Sequence, residues 1–329
     1  MAYYKDVREY LNALESAGKL VRIRQSVNKD TEMHPLVRLQ YRGLPEDQRR
    51  AFLFEKITDV RGRSYDIPVA VACYAGSLDI YALGMQCKKD EIYGKWTNAQ
   101  ANPIEPIEVN SAPCQERVIS GDELKQTGLD LLPVPISTPG FDNGPYTTSL
   151  HWVTRDPETG QYNMGNYRGQ IKATDRMGCY AGNFSGLRAH WNKCRALKKP
   201  LEVACVIGVP PNLSYAAVAR IAPGVSEFGV AGGISGEPVE LVRCKTVDLL
   251  ACRGRLRQGH RRAAHGLDVG KILVVVDEGI DARDADSVNW ALTFRMQPHR
   301  DARIVDAGMM SLDPSIVPPE DFGEARSAL

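Results

Sequence analysis

The sequence predicts an α/β first domain, a β-rich and barrel-like second domain, and a final α/β fragment. The first part of the chain alternates amphipathic helices with short apolar strands, which is typical of layered α/β structure. Seven prolines within residues 103–145 separate it from a region in which strand patterns dominate. The last part carries too few elements to complete a sheet alone. A length of 329 residues is in keeping with about two domains.

Composition and charge exclude several classes of protein. Apolar residues make up 43% and charged residues 25%, which excludes a disordered or fibrous chain. A net charge of +1 gives no electrostatic reason to expect a nucleic-acid partner. The longest aliphatic run, Ile272–Val276, is far shorter than the roughly 20 residues of a membrane span, and the N-terminus shows no signal-peptide core. We therefore expect a cytoplasmic protein without stable membrane insertion.

The first domain is predicted from periodicity. Residues 4–17 place apolar side chains at helical spacing, and Gly18 is a suitable stop for that helix. Further apolar segments predict strands at 20–27, 52–57 and 67–74 and a helix at 78–85.

The second domain is predicted from strands and turns. The strand patterns cover residues 146–154, 164–173, 201–209 and 239–244. Asp156–Gly160 reads as a turn, and the glycine-rich run at 229–233 is predicted to form a tight turn. No GxGxxG or P-loop motif occurs, so these nucleotide-binding fingerprints are absent.

Three side chains are candidates for a site. Asn163 and Arg168 differ in strand parity, so they share a site only if a bulge or turn lies between them, and Gly165 is a candidate for it. Arg168 suits a carboxylate or a phosphate, although a surface position is the alternative. Glu227 precedes apolar residues, and a buried carboxylate there needs a partner or a metal. A structural ion pair is the alternative.

The segment 251–266 differs from the rest of the chain. It holds five arginines, two histidines and no acidic residue. It reads as a solvated basic loop, because an RNA-binding patch is expected to interleave aromatic residues, and none occurs here. An anion- or RNA-binding module is the weaker alternative. Beyond it, we predict a strand at 271–277, a helix at 284–296 and a short strand at 303–306.

Several ordered passages resemble one family. They are PYTTSLHWVTRDPETGQYNMGNYRGQ at 145–170, GVSEFGVAGGISGEPVELVRCKTVDLL at 224–250 and KILVVVDEGIDARDADSVNWALTFRMQPHRD at 271–301. The passages resemble the UbiD family of prenylated-flavin-dependent decarboxylases, typified by 3-polyprenyl-4-hydroxybenzoate decarboxylase. The resemblance implies an N-terminal α/β domain at 1–105, a split β-barrel flavin-binding domain at 106–250, a divergent basic segment at 251–268, and a truncated C-terminal oligomerisation domain at 269–329.

The resemblance also implies an activity and its cofactors. Members of the family decarboxylate aromatic or α,β-unsaturated acids such as hydroxybenzoates, sometimes in reverse. They use prenylated FMN together with a divalent metal, usually Mn²⁺, and K⁺. A flavin prenyltransferase supplies the cofactor, and the C-terminal domain implies a homo-oligomer.

The family's functional residues carry over unevenly. Asn163 and Glu227 match metal ligands that also bind the cofactor, Arg168 matches the catalytic arginine that contacts the substrate carboxylate and the cofactor, and Thr148 is a weaker cofactor contact. The position of the family's metal-ligand histidine falls on Gly186, which has no side chain to ligate. His190 is the nearest histidine.

The resemblance breaks after residue 250. The family continues there into a strand with catalytic glutamates, whereas this chain enters the basic segment. This change predicts an internal deletion or a frameshift, and a divergent natural loop is the alternative. Without the glutamates, the alternative function is a catalytically impaired or inactive flavin-binding homologue.

Overall fold

A computed structural model describes residues 2–182, 185–222 and 224–252 of the chain. The strands and the helix predicted after residue 252 lie outside these residues. The helices are α1 (Val7–Ser16), α2 (Met33–Gly43), α3 (Leu78–Met85), α4 (Ile92–Ala101), α5 (Gly121–Gln126), α6 (Gly186–Ala196), α7 (Pro211–Ala216) and α8 (Glu227–Ser235). The strands are β1 (Leu20–Asn28), β2 (Ala51–Thr58), β3 (Ser64–Tyr65), β4 (Val69–Val71), β5 (Ile107–Val109), β6 (Tyr146–Thr147), β7 (His151–Arg155), β8 (Tyr162–Asn166), β9 (Gly169–Ala173), β10 (Arg176–Cys179), β11 (Ala204–Val206), β12 (Glu240–Arg243) and β13 (Leu250–Cys252).

The first part of the chain forms a four-stranded sheet with helices, as predicted. Strands β1 and β2 pair in parallel, which α2 makes possible by crossing between them, while β3 and β4 add antiparallel edges to β2. Helix α1 begins after Asp6, whose carboxylate accepts the backbone N–H groups of Arg8 and Glu9. Its buried face carries Tyr10 and Leu14, as the periodicity predicted. The predicted helix at 78–85 is confirmed as α3.

The second part of the chain contains three small sheets. Their strand orders are β10-β9-β6, β11-β7-β8 and β13-β12-β5. Within the described residues these sheets do not close into a barrel, and their strands are two to five residues long. The structure therefore supports a mixed α/β fold, and the split barrel stays a prediction. In the described ranges no helix is long and apolar enough to cross a membrane.

Two long strand predictions are each broken into two strands. The segment predicted at 146–154 forms β6 and β7 with a gap at 148–150, and the segment predicted at 164–173 forms β8 and β9 with a gap at 167–168. Each half pairs with a different sheet, because β6 and β9 belong to one sheet while β7 and β8 belong to another. The apolar pattern continues across both gaps, so periodicity alone does not reveal them.

The glycine-rich run at 229–233 is helical, which corrects the prediction of a tight turn. It lies inside α8, whose backbone packs closely against the chain around α4. A Cβ atom at Gly232 would lie 2.6 Å from the carbonyl oxygen of Ile104, and one at Gly233 would lie 2.8 Å from that of Ala99. The glycines therefore permit close backbone contact between segments rather than a chain reversal.

We expect Gly232→Ala to lower the free energy of unfolding by about 1–3 kcal/mol, because the added methyl group meets a backbone oxygen that cannot swing away. Gly94→Ala is the matched control. Gly94 lies in α4 with open space around its Cα, so the same substitution there is expected to stabilise the helix by up to about 1 kcal/mol. Urea unfolding of both variants measures the difference, and equal effects would contradict the packing argument.

Candidate cofactor and substrate site

The candidate site is centred on β8 and on the break that follows it. Strand β8 packs against both α6 and α8. At the break, the Trp152 indole N–H donates to the carbonyl oxygen of Tyr167 at 3.0 Å, and the backbone N–H of Tyr180 donates to that of Arg168 at 3.3 Å. Both carbonyl groups of the break are thus fixed, although no regular ladder continues through it.

Gly165 does not provide the predicted bulge. It lies within β8 in regular pairing with Trp152, and the break comes two residues later. A Cβ atom at Gly165 would lie 2.5 Å from the Tyr167 ring, so the glycine makes room for this ring. The required interruption between Asn163 and Arg168 is therefore present, but at Tyr167–Arg168.

Glu227 is the first residue of α8. Ser226 precedes it and caps the helix by accepting the backbone N–H of Phe228 at 3.2 Å. The Glu227 carboxylate is half-buried, and its Oε2 accepts the backbone N–H of Met164 at 3.2 Å. Burial raises the pKa of Glu227, and no basic side chain of the described residues pairs with it. Burying a carboxylate costs free energy unless a positive group offsets its charge, and Glu227 has no such group among the described residues.

Asn163 directly precedes Met164, whose backbone N–H donates to the Glu227 carboxylate. The backbone of Asn163 therefore lies close to Glu227. The Asn163 side chain rests against the first residue of α6: a Cβ atom at Gly186 would lie 1.9 Å from Asn163 Oδ1. The amide nitrogen of Asn163 is buried without a hydrogen-bond partner. The structure therefore brings the two predicted metal ligands to the same end of the site, where Glu227 has no basic partner among the described residues.

The donor set fits a hard cation with few protein ligands. Asn163 and Glu227 offer an amide and a carboxylate oxygen, which Mg²⁺ and Mn²⁺ prefer. No group of three or more His, Cys, Asp or Glu side chains suited to a metal occurs among the described residues, and Gly186 contributes no ligand. Such a cation commonly completes its shell with waters and phosphate oxygens, so two protein ligands suffice for a metal that also binds a phosphate.

Arg168 and Thr148 are both exposed residues, although each is next to a buried one. In the described part of the chain, no hydrogen bond or ion pair joins either side chain to Asn163 or Glu227. The neighbour Thr147 is instead the buried residue, and its hydroxyl both donates to and accepts from the backbone of Gly169 at 3.1 Å. The roles of Arg168 and Thr148 therefore stay predictions.

His190 does not supply the ligand that Gly186 lacks. It is buried in α6, with Nδ1 2.9 Å from the Thr154 hydroxyl and Nε2 3.9 Å from Asp156. Burial lowers the pKa of His190. Its ring is thus engaged with β7 and with the turn after it.

Asp156 anchors that turn and gives a pH prediction. Burial alone raises the pKa of Asp156, but the Lys193 ammonium and the N–H groups of Glu158 and Thr159 outweigh it and hold the pKa at about 2. Because the pKa is lower in the folded state, this stabilisation is present above the unfolded value of about 4 and is lost as pH falls towards 2.

Asp156→Asn is therefore expected to cost about 1–2 kcal/mol of unfolding free energy at pH 7, and nearly nothing at pH 2. Urea unfolding across this range measures the change. Asp122→Asn, at an exposed pair with Lys125, is the control and is expected to have a small effect at every pH. A cost for Asp156→Asn that persists undiminished at pH 2 would contradict the ion-pair explanation.

The sequence reasoning missed Tyr167. Asn163, Gly165 and Tyr167 are spaced two residues apart, and the spacing of a strand puts such residues on the same face. The Tyr167 hydroxyl accepts weakly from the backbone N–H of Leu187 at 3.5 Å. The period-two pattern was the available signal.

Comparison with known proteins identifies the family. Three family models match in order: the 3-octaprenyl-4-hydroxybenzoate carboxy-lyase N-terminal domain at residues 11–99, its Rift-related domain at 106–253, and its C-terminal domain at 253–326. A phenolic acid decarboxylase of Sedimentibacter hydroxybenzoicus is 30% identical over 259 residues, covering 75% of this chain and 52% of that protein. The chain spans about half the length of the curated relatives it matches.

Solved structures agree with these matches. An evolved dimeric form of the UbiD-class enzyme HmfF from Pelotomaculum thermopropionicum, in complex with prFMN, is similar with a TM-score of 0.67 at 30% identity, covering 76% of this chain and 55% of that one. Vanillic acid decarboxylase of Sedimentibacter hydroxybenzoicus in its closed form has a TM-score of 0.69 at 29% identity, covering 77% and 54%. These family models, relatives and structures together show that the chain belongs to the UbiD family of carboxy-lyases.

Proposed function

We propose that the protein catalyses the non-oxidative, reversible decarboxylation of an aromatic or α,β-unsaturated carboxylic acid, such as a hydroxybenzoate, with prenylated FMN and a divalent cation. The observation that carries the proposal is the half-buried Glu227 carboxylate beside Asn163, which lacks a basic partner among the described residues. Two oxygen ligands at this place suit a cation that tethers a cofactor phosphate.

The relatives support this substrate class. One is named for phenolic acids, one for vanillic acid, and one was solved with prFMN. All three are decarboxylases or UbiD-class enzymes, which favours a catalytic function over an inactive flavin-binding homologue.

The reaction sets the task of Arg168. Decarboxylation breaks the bond between the ring carbon and the carboxylate; CO₂ leaves, the electron pair stays with the carbon, and a proton replaces the lost group. Prenylated FMN, when bound, supplies an electron sink for that pair. We assign Arg168 to bind and orient the substrate carboxylate bidentately before the bond breaks. Its exposed side chain on a fixed backbone suits this task.

Asn163 and Glu227 are assigned to the cation, for which Mn²⁺ is proposed, with K⁺ beside it. Thr148 is assigned a contact with the cofactor. The pKa of Glu227, raised by burial, is expected to fall when a cation binds, because a nearby positive charge favours the charged carboxylate.

Supply and assembly are part of the same proposal. A flavin prenyltransferase is expected to provide the cofactor, the chain is expected to work as a homo-oligomer in the cytoplasm, and the domains are expected at 1–105, 106–250 and 269–329. The internal deletion or frameshift after residue 250 also stays a prediction, and reading the genomic DNA around that codon in three frames tests it.

Co-expression of the full chain with a flavin prenyltransferase tests the function. The purified protein is expected to carry a flavin absorbance and Mn²⁺, and to convert members of a hydroxybenzoate panel to the corresponding phenols with release of CO₂. Protein from cells without the prenyltransferase is the control and is expected to be inactive. Purified protein that holds neither flavin nor Mn²⁺ and forms no phenol would overturn the proposal.

A further inference from the structure

The hydroxyl of Tyr167 lies at the N-terminus of α6, among the residues assigned to the cation. The Tyr167 hydroxyl accepts the backbone N–H of Leu187, the residue after Gly186, and the Asn163 amide lies directly against Gly186. The phenol and the amide therefore lie together at the first turn of α6. The backbone carbonyl of Tyr167 is fixed by the Trp152 indole, so the base of this side chain is anchored as well.

Two glycines create the space that this arrangement needs. A Cβ atom at Gly165 would lie 2.5 Å from the Tyr167 ring, and one at Gly186 would lie 1.9 Å from Asn163 Oδ1. Neither glycine has a positive φ, so the backbone does not require glycine at these positions. The requirement is one of volume: Gly165 admits the phenol and Gly186 admits the amide.

We propose that Tyr167 and Gly186 are positioning residues for Asn163 in the cation site. Gly186 leaves the volume into which the Asn163 amide fits, and the Tyr167 phenol borders that amide and limits its rotation. In a site with only two protein ligands, the affinity for the cation depends strongly on how well each ligand is held in one orientation. A freely rotating amide loses rotamer entropy when it binds the cation. The inference rests on the proposed function, since the cation belongs to it.

Mn²⁺ binding by the purified full chain tests the inference without any activity assay. Mn²⁺ is titrated in the presence of FMN, and the electron paramagnetic resonance signal of free Mn²⁺ reports binding. Tyr167→Phe and Gly186→Ala are each expected to weaken Mn²⁺ affinity by about 10–100-fold, as is usual when a group that orients a ligand is lost. The phenylalanine retains the ring, and the Asn163 side chain can swing away from the alanine, so both variants are expected to fold.

Matched controls lie on an exposed helix. Tyr93→Phe and Gly94→Ala make the same two changes in α4, where Tyr93 is 83% exposed and Gly94 has open space. Both are expected to bind Mn²⁺ as the natural chain does. Thermal unfolding of all four variants separates a loss of affinity from a loss of fold.

A double-mutant cycle distinguishes positioning from general damage. If Tyr167 and Gly186 act through Asn163, neither substitution is expected to weaken Mn²⁺ binding further in an Asn163→Ala background. Full losses in that background, or unchanged affinity of Tyr167→Phe, would overturn the inference. One combination of results contradicts the inference alone: the natural chain binds Mn²⁺, Glu227→Gln abolishes that binding, and Tyr167→Phe does not weaken it. If the natural chain binds no Mn²⁺, the inference and the cation part of the proposed function both fail.

Discussion

Replacing Glu227 with glutamine is expected to weaken Mn²⁺ binding by at least about 100-fold and to abolish retention of the flavin cofactor. The substitution removes the negative charge but keeps the size of the side chain, and the amide oxygen still accepts the N–H of Met164. A direct ligand is expected to matter at least as much as an orienting partner, whose loss costs up to about 100-fold. The fold is expected to persist, because the neutral side chain relieves the cost of burying a carboxylate without a basic partner.

Metal analysis and flavin absorbance of the co-expressed protein measure this result, and urea unfolding checks stability. Glu237→Gln is the control, because Glu237 is an exposed glutamate just after the other end of α8. Normal Mn²⁺ and flavin content in Glu227→Gln would show that the carboxylate is not a ligand. The burial of Glu227 would then need another explanation.

Replacing Arg168 with alanine is expected to lower kcat/KM for a hydroxybenzoate by about 10²–10³-fold, while flavin content falls much less. The loss corresponds to about 3–4 kcal/mol, within the range for truncating one partner of a charge-assisted pair. Arg168→Lys is expected to recover only part of the activity, because an ammonium group does not bind both carboxylate oxygens in one plane.

Steady-state kinetics on flavin-loaded protein measure this effect. Arg176→Ala is the control, since Arg176 is an exposed arginine on β10 of the neighbouring sheet. If Arg168→Ala retains full turnover, another cation holds the substrate carboxylate. If it also loses its flavin completely, Arg168 acts mainly on the cofactor.

Much of the structure of the first part of the chain was predictable from the sequence because its signals are local. In α3 the predicted and observed limits coincide at Leu78 and Met85, and α1 buries the side chains that its periodicity indicated. Helix α2 was missed because its exposed face carries Leu36 and Leu39, which obscures the amphipathic pattern.

The candidate site was only partly predictable, because its geometry depends on contacts between distant segments. The residues Asn163 and Glu227 were named, but the packing of Asn163 against Gly186 joins a strand to a later helix. The break at Tyr167–Arg168 arises because β8 and β9 pair with different sheets, and no local pattern encodes that choice. The run at 229–233 was misread because glycine signals turns locally, whereas here it serves close packing.

The parallel pairing of β5 with β12 constrains how the protein is made. Ile107 of β5 pairs with Glu240 of β12, and β13 pairs with the other edge of β12. Strand β5 therefore has no partner strand until the ribosome has passed residue 240. At typical elongation rates, β5 waits on the order of ten seconds for its neighbour. During that interval the nascent chain after β5 is open to chaperones and to misassociation. Substitutions in β5 or β12 are therefore expected to reduce soluble yield in cells more than they reduce the stability of the purified protein.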